Sequence, residues 1–287
     1  MSGIVFAAVA PHGDLAVAEA CDRASLPLAS VTRRAMTELG RRCAAAHPDT
    51  VVVFTPHNVH VDWAMAVITS ARLSGRLDQA AGPVELSCAV DRELALAARD
   101  ALLAAGVPAV GVSFGGNDPA EAVSPLDWGA LVPLWHLGGR FDPQPRVVVI
   151  APARDLDAAT HVRAGAALAS VARSLGRRVA VIASADQGHG HSDVGPYGYH
   201  AESAAFDRRV CAAVEASRLD ALLEITEAEV EVAVADSWWQ MVMLHGAAGP
   251  GARCELLAYE APTYYGMLCA EVVPLTAQPA AGGSVLS

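Results

Sequence analysis

The hydrophobic positions of this chain fall into short continuous runs separated by amphipathic stretches. Continuous apolar runs of this length, bounded by turn residues, are typical of strands buried on both faces of a sheet. Such runs are GIVFAAVA from Gly3, TVVVF from Thr50, RVVVIA from Arg146 and RRVAVIAS from Arg177. Two further strand-like runs, CELLAYEAP and MLCAEVVPL, follow near the end of the chain.

The stretches between these runs carry apolar residues at helical spacing. They start at Val31, at Arg92 (stopping at Gly106) and at Ala159, and two more span about Glu202 to Leu223 and Glu227 to Ala247. Strands that alternate with helices predict an α/β fold, with a mostly parallel central sheet covered by helices on both faces. We expect one catalytic domain over residues 1–275, and a frayed C-terminal tail over 276–287, where the residues are small and polar.

Composition narrows the class of protein. The chain has 287 residues, of which 53% are hydrophobic, so it can bury a sizeable core. No apolar run reaches the eighteen or so residues of a membrane span, and the N-terminus has no basic region, so we predict a cytoplasmic protein without a membrane partner. A formal net charge of −11 disfavours nucleic acid as a partner. The six cysteines are scattered without a CxxC pair, which favours reduced thiols.

Three of the predicted strands end in residues that can bind metal or carry protons. APHGD with His12 follows the first strand, TPHNVH with His57 follows the second, and SADQGHGH with His189 and His191 follows the run VAVIA. The carboxyl ends of parallel strands lie at one edge of a sheet, which is where α/β proteins place their sites. We therefore expect these histidines to lie close together.

Histidines 12 and 57 are the natural pair of metal ligands. Two imidazoles and one carboxylate on one face of an ion leave open positions, as in non-haem iron(II) oxygenases. Asp236 is the carboxylate that we favour, because at helical spacing its neighbours are apolar and a buried acid needs a partner. Glu231 is the alternative. Two alternatives to a metal site remain. The histidines could be ordinary loop residues, and Asp236 could pair with an arginine or cap a backbone group.

The segment after the VAVIA strand offers a proton carrier. A histidine beside a metal-bound phenol is suited to proton transfer, because its ordinary pKa lies near neutrality. His189 and His191 are the two candidates. Tyr197 and Tyr199 are candidates for stacking on an aromatic substrate or donating a hydrogen bond to it, with plain packing as the alternative. Arg154 is the nearest candidate for binding a substrate carboxylate, although packing is the favoured role there.

The motifs APHG, TPHN, SPLDWGALVPL from Ser124 and SADQGHGH, in this order, resemble those of the class III extradiol ring-cleavage dioxygenases. That superfamily contains the catalytic subunit of protocatechuate 4,5-dioxygenase. The resemblance implies that His12, His57 and Asp236 bind iron(II), although the family's acid is usually glutamate. It also implies that His189, or alternatively His191, is the acid/base catalyst. Trp128 stands where the family often has an active-site histidine, so we expect it to contact substrate.

The sequence thus predicts an Fe(II)-dependent extradiol dioxygenase that opens a catechol-like or 2-aminophenol-like ring with O2. A metal-dependent hydrolase and a metal-free binding protein of the same fold are the alternatives. Nothing in the chain resembles a fused small domain, so we expect a homo-oligomer, with a separate small subunit as the other arrangement of the family.

Overall fold

Two β-sheets organise the chain in a computed structural model, which describes residues 2–78, 82 and 84–274. The tail predicted at 276–287 lies outside these residues. The strands are β1 (Gly3–Ala10), β2 (Thr50–Phe54), β3 (Met65–Ile68), β4 (Arg72–Leu77), β5 (Val84–Ala89), β6 (Ala109–Val112), β7 (Val123–Pro125), β8 (Arg146–Ala151), β9 (Arg178–Ser184), β10 (Arg253–Glu260) and β11 (Met267–Val273). The helices are α1 (Ser30–Ala45), α2 (Arg92–Ala104), α3 (Trp128–His136), α4 (Ala158–Ser174), α5 (Ala201–Glu215), α6 (Glu227–Val232) and α7 (Trp238–Ala248).

The central sheet has eight strands in the order β10-β11-β1-β9-β2-β8-β3-β6. Its four middle strands, β1, β9, β2 and β8, pair in parallel, and they are the four runs in which nearly every residue is apolar. Continuous apolar sequence suits strands that are covered on both faces. β3 and β11 join antiparallel to this parallel group, and β6 and β10 complete the edges.

Helices cover both faces of the central sheet, as the sequence predicts. α4 and α7 pack over β1 and β9 on one face, whereas α1 and α3 lie on the other. α4 and α7 approach closely because Gly165 and Gly246 face the partner helix. A Cβ atom on Gly165 would lie 1.9 Å from the Met243 carbonyl oxygen. Among the described residues, no helix is both long and apolar enough to span a bilayer.

The sequence pattern does not reveal a second, three-stranded sheet. It has the order β5-β4-β7 and is built from strands whose residues alternate between buried and exposed. The pattern also misses β3, β6 and α3, which are only four, four and nine residues long. Short elements carry too few periodic positions to stand out from loops.

The two long helices predicted near the end of the chain are wrong in their extent. The first ends at Glu215, and a 3-10 helix spans Leu219–Glu224. The second is interrupted between Val232 and Trp238, so Asp236 lies on a connecting segment and not in a helical stripe. Val232, expected on the same buried face, is 48% exposed.

Candidate metal centre

Three neighbouring parallel strands deliver the predicted histidines to one edge of the sheet. β9 lies between β1 and β2, and all three run in the same direction. His12 comes two residues after β1, His57 three residues after β2, and His189 five residues after β9. The shared direction of the strands is the reason that groups far apart in sequence meet here.

His12, His57 and Asp236 form a compact set of ligand atoms. The Nε2 atoms of His12 and His57 are 2.9 Å apart. Oδ2 of Asp236 lies 3.4 Å from Nε2 of His12 and 3.1 Å from Nε2 of His57. Ligands bound at about 2.1 Å to one divalent ion, at about 90° to each other, lie about 3 Å apart. The three side chains therefore have the spacing that a single ion requires.

Asp236 reaches this set because α6 ends abruptly. Val234 has a φ of 49°, in the left-handed region, and the next N–H, that of Ala235, bonds back to the carbonyl of Val230 at 3.1 Å. This is a Schellman ending with valine at the position that usually holds glycine. A β-branched residue disfavours this conformation, so the sequence does not predict a turn at Val234. The backbone is therefore strained at this point beside the site.

The tautomer of His12 is fixed by Ser184 at the end of β9. The Ser184 hydroxyl donates its only hydrogen to the carbonyl oxygen of Gly129, so it can only accept from His12. Nδ1 of His12 lies 3.0 Å from that hydroxyl oxygen and must carry the proton there. Nε2, the atom that faces His57 and Asp236, is therefore the ring nitrogen that can give up its proton and bind a metal. A hydrogen bond of this kind is how proteins orient metal-binding imidazoles.

Asp186 is a further buried acid at the site. Its Oδ1 accepts the backbone N–H of His12 at 3.0 Å, and its Oδ2 lies 3.5 Å from the His12 Nε2. Burial, the largest influence, raises the pKa of Asp186. Burial acts against a charged His12, but the carboxylates of Asp186 and Asp236 outweigh it and raise the His12 pKa to about 9. Burial likewise opposes the charged form of Asp236, yet His12 and His57 hold its pKa well below the usual range.

Asp127 connects the His57 loop to the start of α3. It caps this helix, and its Oδ1 also accepts the hydroxyl hydrogen of Thr55 at 2.9 Å. Its Oδ2 accepts from the Asn58 side chain at 2.6 Å. The Asp127 carboxylate thus accepts hydrogen bonds from Thr55 and Asn58, which lie on either side of His57 in the sequence. It also places Trp128, the first residue of α3, with its ring stacked on His57 at a centroid distance of 4.4 Å.

Two polar atoms at the centre have no hydrogen-bond partner among the described residues. They are Oδ1 of Asp236 and Nδ1 of His189, and both are buried. An unpaired buried polar atom is costly, so such atoms call for a partner from outside the chain. Two imidazole nitrogens, a carboxylate and unsatisfied buried groups beside them fit a divalent ion with bound solvent or substrate.

Two cavities open onto this centre from different sides, with volumes of about 510 Å³ and 580 Å³. Both are lined by His57, His189 and Tyr197. The first also has aromatic walls formed by Trp128, Tyr264 and Tyr265. Their sizes are in the range of pockets that hold small organic molecules.

The first cavity contains most of the aromatic side chains. Tyr265 lies against His189 with the rings 5.7 Å apart and nearly parallel, and Tyr197 approaches the same ring edge-on at 5.8 Å. Gly13 permits this arrangement, because a Cβ there would lie 2.4 Å from a ring carbon of Tyr265. Trp128 and Tyr197 are about half exposed, so their rings border the cavity and remain accessible to a ligand.

The second cavity carries charge at its rim. Arg154 follows β8, and its guanidinium lies over the ring of Trp239 at 4.8 Å. Among the described residues, no acidic side chain forms an ion pair with Arg154. Glu231, the alternative acid from the sequence, is exposed and lines this cavity, while Asp236 joins the two histidines.

His191 and Tyr199 lie apart from the two cavities. Nε2 of His191 is 2.8 Å from Oδ2 of Asp207, a carboxylate that is 1% exposed. Tyr199 forms an isolated antiparallel β-bridge with His191, and its side chain is 64% exposed. The structure therefore brings together His12, His57, His189, Asp236, Trp128 and Tyr197, and leaves His191 and Tyr199 outside that group.

Several residues of the centre were not recognised from sequence. Asp127 precedes a helix and is followed three residues later by a backbone N–H that it caps, a local signal that the motif SPLDWG contains. Ser184 carries no comparable signal, because its contact with His12 crosses more than 170 positions of sequence. Tyr264 and Tyr265 likewise arrive on the β10–β11 connection.

Comparison with known proteins identifies a family and a shared fold. The family described as catalytic LigB subunit of aromatic ring-opening dioxygenase matches residues 7–267. Protein CA_C1420 of Clostridium acetobutylicum is 23% identical over 234 residues, which cover 80% of this chain and 49% of that protein. The chain thus spans about half the length of this curated relative. A crystal structure of uncharacterized protein JW3007 from Escherichia coli K12 aligns with a TM-score of 0.62 at 16% identity, covering 93% of this chain and 99% of that one, and shows the same fold.

Proposed function

The chain belongs to the family of catalytic LigB subunits of aromatic ring-opening dioxygenases, and from that premise we propose that it is an Fe(II)-dependent extradiol dioxygenase. Its substrate is a catechol-like or 2-aminophenol-like ring, which it opens with O2. The observation that carries the proposal is the set of His12, His57 and Asp236, whose ligand atoms all lie within 4.8 Å of one another beside two cavities.

The three side chains would hold the ion on one face. When bound, ferrous iron offers its remaining positions to the two donor atoms of the ring and to dioxygen. His12 is prepared for this role by Ser184, which keeps the proton on Nδ1. Asp236 is held ionised by the two histidines. Once Nε2 of His12 has given up its proton, these three side chains can bind a divalent ion while the Ser184 contact at Nδ1 stays in place.

His189 supports the proton transfer that the reaction needs. Its ring lines both cavities. An imidazole beside the bound substrate can take the proton of a substrate hydroxyl and return it later in turnover. General acid/base catalysis of this kind contributes about 10²- to 10⁴-fold to rate.

The shape of the first cavity favours an aromatic substrate. Trp128 stacks on His57, and Tyr264 and Tyr265 also line this cavity. Flat rings between aromatic walls gain offset-stacking and edge-to-face contacts. Every residue named in this centre comes from one chain, so the homo-oligomer that we propose is not required to complete it.

The test is to purify the protein without oxygen, add ferrous iron, and measure iron per chain. A panel of catechols and 2-aminophenols is then exposed to air, and ring-opened products are followed by absorbance and mass. We expect one iron per chain, incorporation of both atoms of labelled O2, and cleavage adjacent to the diol. His189→Ala should keep its iron and lose about 10²-fold or more in turnover.

The alternatives give different results. A protein that binds no divalent metal would remove the ligand assignment and favour a metal-free binding protein. Bound metal with hydrolysis of an ester or amide panel, and without consumption of O2, would favour the hydrolase.

A further inference from the structure

The segment 188–191 carries His189 and belongs to no helix, yet its backbone is fixed at every residue. Each of its four consecutive N–H groups donates to a different acceptor. These are Asp207 Oδ1 at 2.7 Å for Gly188, the Ala233 carbonyl at 3.3 Å for His189, Ser203 Oγ at 2.9 Å for Gly190 and the Tyr264 carbonyl at 3.0 Å for His191. Two of the four acceptors are side chains on α5.

Ser203 and Asp207 lie four residues apart, on one face of α5. They are 0% and 1% exposed. Oδ2 of Asp207 accepts from the hydroxyl of Tyr259 at 2.6 Å and lies 2.8 Å from Nε2 of His191. This carboxylate therefore ties three parts of the molecule together: α5, the 188–191 segment and β10.

The glycines of the segment are explained by its contact with α5. A Cβ on Gly188 would lie 2.6 Å from Cβ of Ser203, and a Cβ on Gly190 would lie 2.7 Å from Ser203 Oγ. The alternation of glycine and histidine in GHGH thus lets the backbone rest directly on the helix while the two imidazoles point elsewhere.

Ser203 also connects His189 to the segment that holds Asp236. The Ser203 hydroxyl donates to the Ala233 carbonyl oxygen at 2.8 Å. This carbonyl oxygen also accepts the N–H of His189. Ala233 ends α6 three residues before Asp236. One serine therefore sets the position of the His189 backbone relative to the metal centre.

We propose that Ser203 and Asp207 are positioning residues for His189, and that His191 acts as a brace to Asp207 and not as the acid/base catalyst. This inference rests on the proposed function and names the residues that set its geometry. A catalytic group displaced by about 1 Å can lose about 10²-fold in rate. A segment without regular secondary structure depends on contacts of this kind to prevent such a displacement.

The first experiment compares Ser203→Ala with Ser217→Ala in the iron-loaded protein. Ser217 follows α5 and accepts the N–H of Cys254 at 2.8 Å, so both variants lose one serine acceptor for a backbone N–H. We expect Ser203→Ala to lose about tenfold or more in kcat, with KM and iron content within about twofold. Ser217→Ala should keep kcat within about twofold. Equal kcat values in the two variants would overturn the proposal.

The second experiment separates a brace from an acid/base group at His191. In His191→Gln the amide nitrogen can still donate to Asp207, whereas His191→Ala removes the contact. A brace predicts that the glutamine variant turns over at least about ten times faster than the alanine variant. Equal loss in both would identify His191 as a proton carrier and overturn the proposal. This pair also decides the matter if Ser203→Ala does not fold.

A structural readout keeps the inference separate from the proposed reaction. The imidazole resonances of His189 are assigned by comparison with His189→Gln and followed by NMR in the metal-free protein. They should shift in Ser203→Ala and stay unchanged in Ser217→Ala. If the wild-type protein opens no ring, the proposed function fails, and these shifts alone decide. Unchanged resonances in both serine variants would overturn the positioning role.

Discussion

Protons and metal should compete for Nε2 of His12. The carboxylates of Asp186 and Asp236 raise the pKa of this ring to about 9 against the effect of burial. At pH 7, below this pKa, most of the metal-free protein carries the proton. Metal binds the neutral ring only, so binding at pH 7 should release a proton from His12.

The sign of the pH dependence follows directly. As pH rises towards 9, less free energy is spent on removing the proton, and affinity should increase about tenfold per pH unit from His12 alone. Above about pH 9 this increase should stop. Asp236 adds nothing in this range, because its pKa lies well below the usual value and it is already ionised.

Calorimetric titration with Mn²⁺ in buffers of different ionisation enthalpy measures both the affinity and the number of protons released. The matched variant is Asp186→Asn, whose amide oxygen can still accept the His12 N–H but whose charge is gone. It should release a smaller fraction of a proton at pH 8 than the wild type, and its plateau should begin at lower pH. An affinity independent of pH between 7 and 9, with no proton released, would refute the electrostatic account of this centre.

Three further predictions concern single residues. Ser184→Ala frees the tautomer of His12 and should weaken metal binding about 10- to 100-fold in a metal titration. It should also lower Tm in calorimetry, because Nδ1 of His12 and the Gly129 carbonyl lose their buried partner. Arg154→Met should lower kcat/KM for carboxylated catechols about tenfold relative to uncharged ones in a competition assay, since its guanidinium lines the second cavity. An unchanged ratio would exclude Arg154 from substrate binding. Gly165→Ala should destabilise the fold by about 2 kcal/mol or more, because its Cβ would collide with the Met243 carbonyl between α4 and α7, and an unchanged Tm would contradict that packing.

The middle of the central sheet was predictable because its signal is local, whereas β3 and β6 of the same sheet were missed. Each of the four middle strands is a continuous apolar run, and each of the helices α1, α2 and α4 has its own periodic stripe. The second sheet was not predicted, because β4 and β5 alternate between buried and exposed positions and lack the continuous apolar runs that revealed the middle strands.

The same distinction holds at the candidate site. Sequence alone placed His12, His57 and His189 at strand ends, and the parallel direction of those strands is enough to gather them at one edge. It also proposed Asp236, but for the wrong reason. Asp236 lies between α6 and α7, two residues after Val234, which adopts a left-handed conformation. A valine at that position does not predict a left-handed turn from sequence.

The resemblance favours His189 over His191, but the physical reason for the difference comes from the tertiary structure. The two residues are two positions apart in a glycine-rich segment. Contacts with Ser203, Asp207 and Tyr265, which come from α5 and the β10–β11 connection, direct one ring to the cavities and the other to a buried carboxylate. The sequence determined which strands carry the chemistry, because hydrophobic runs are local. Long-range hydrogen bonds decided which atoms face each other, because they depend on how distant segments pack.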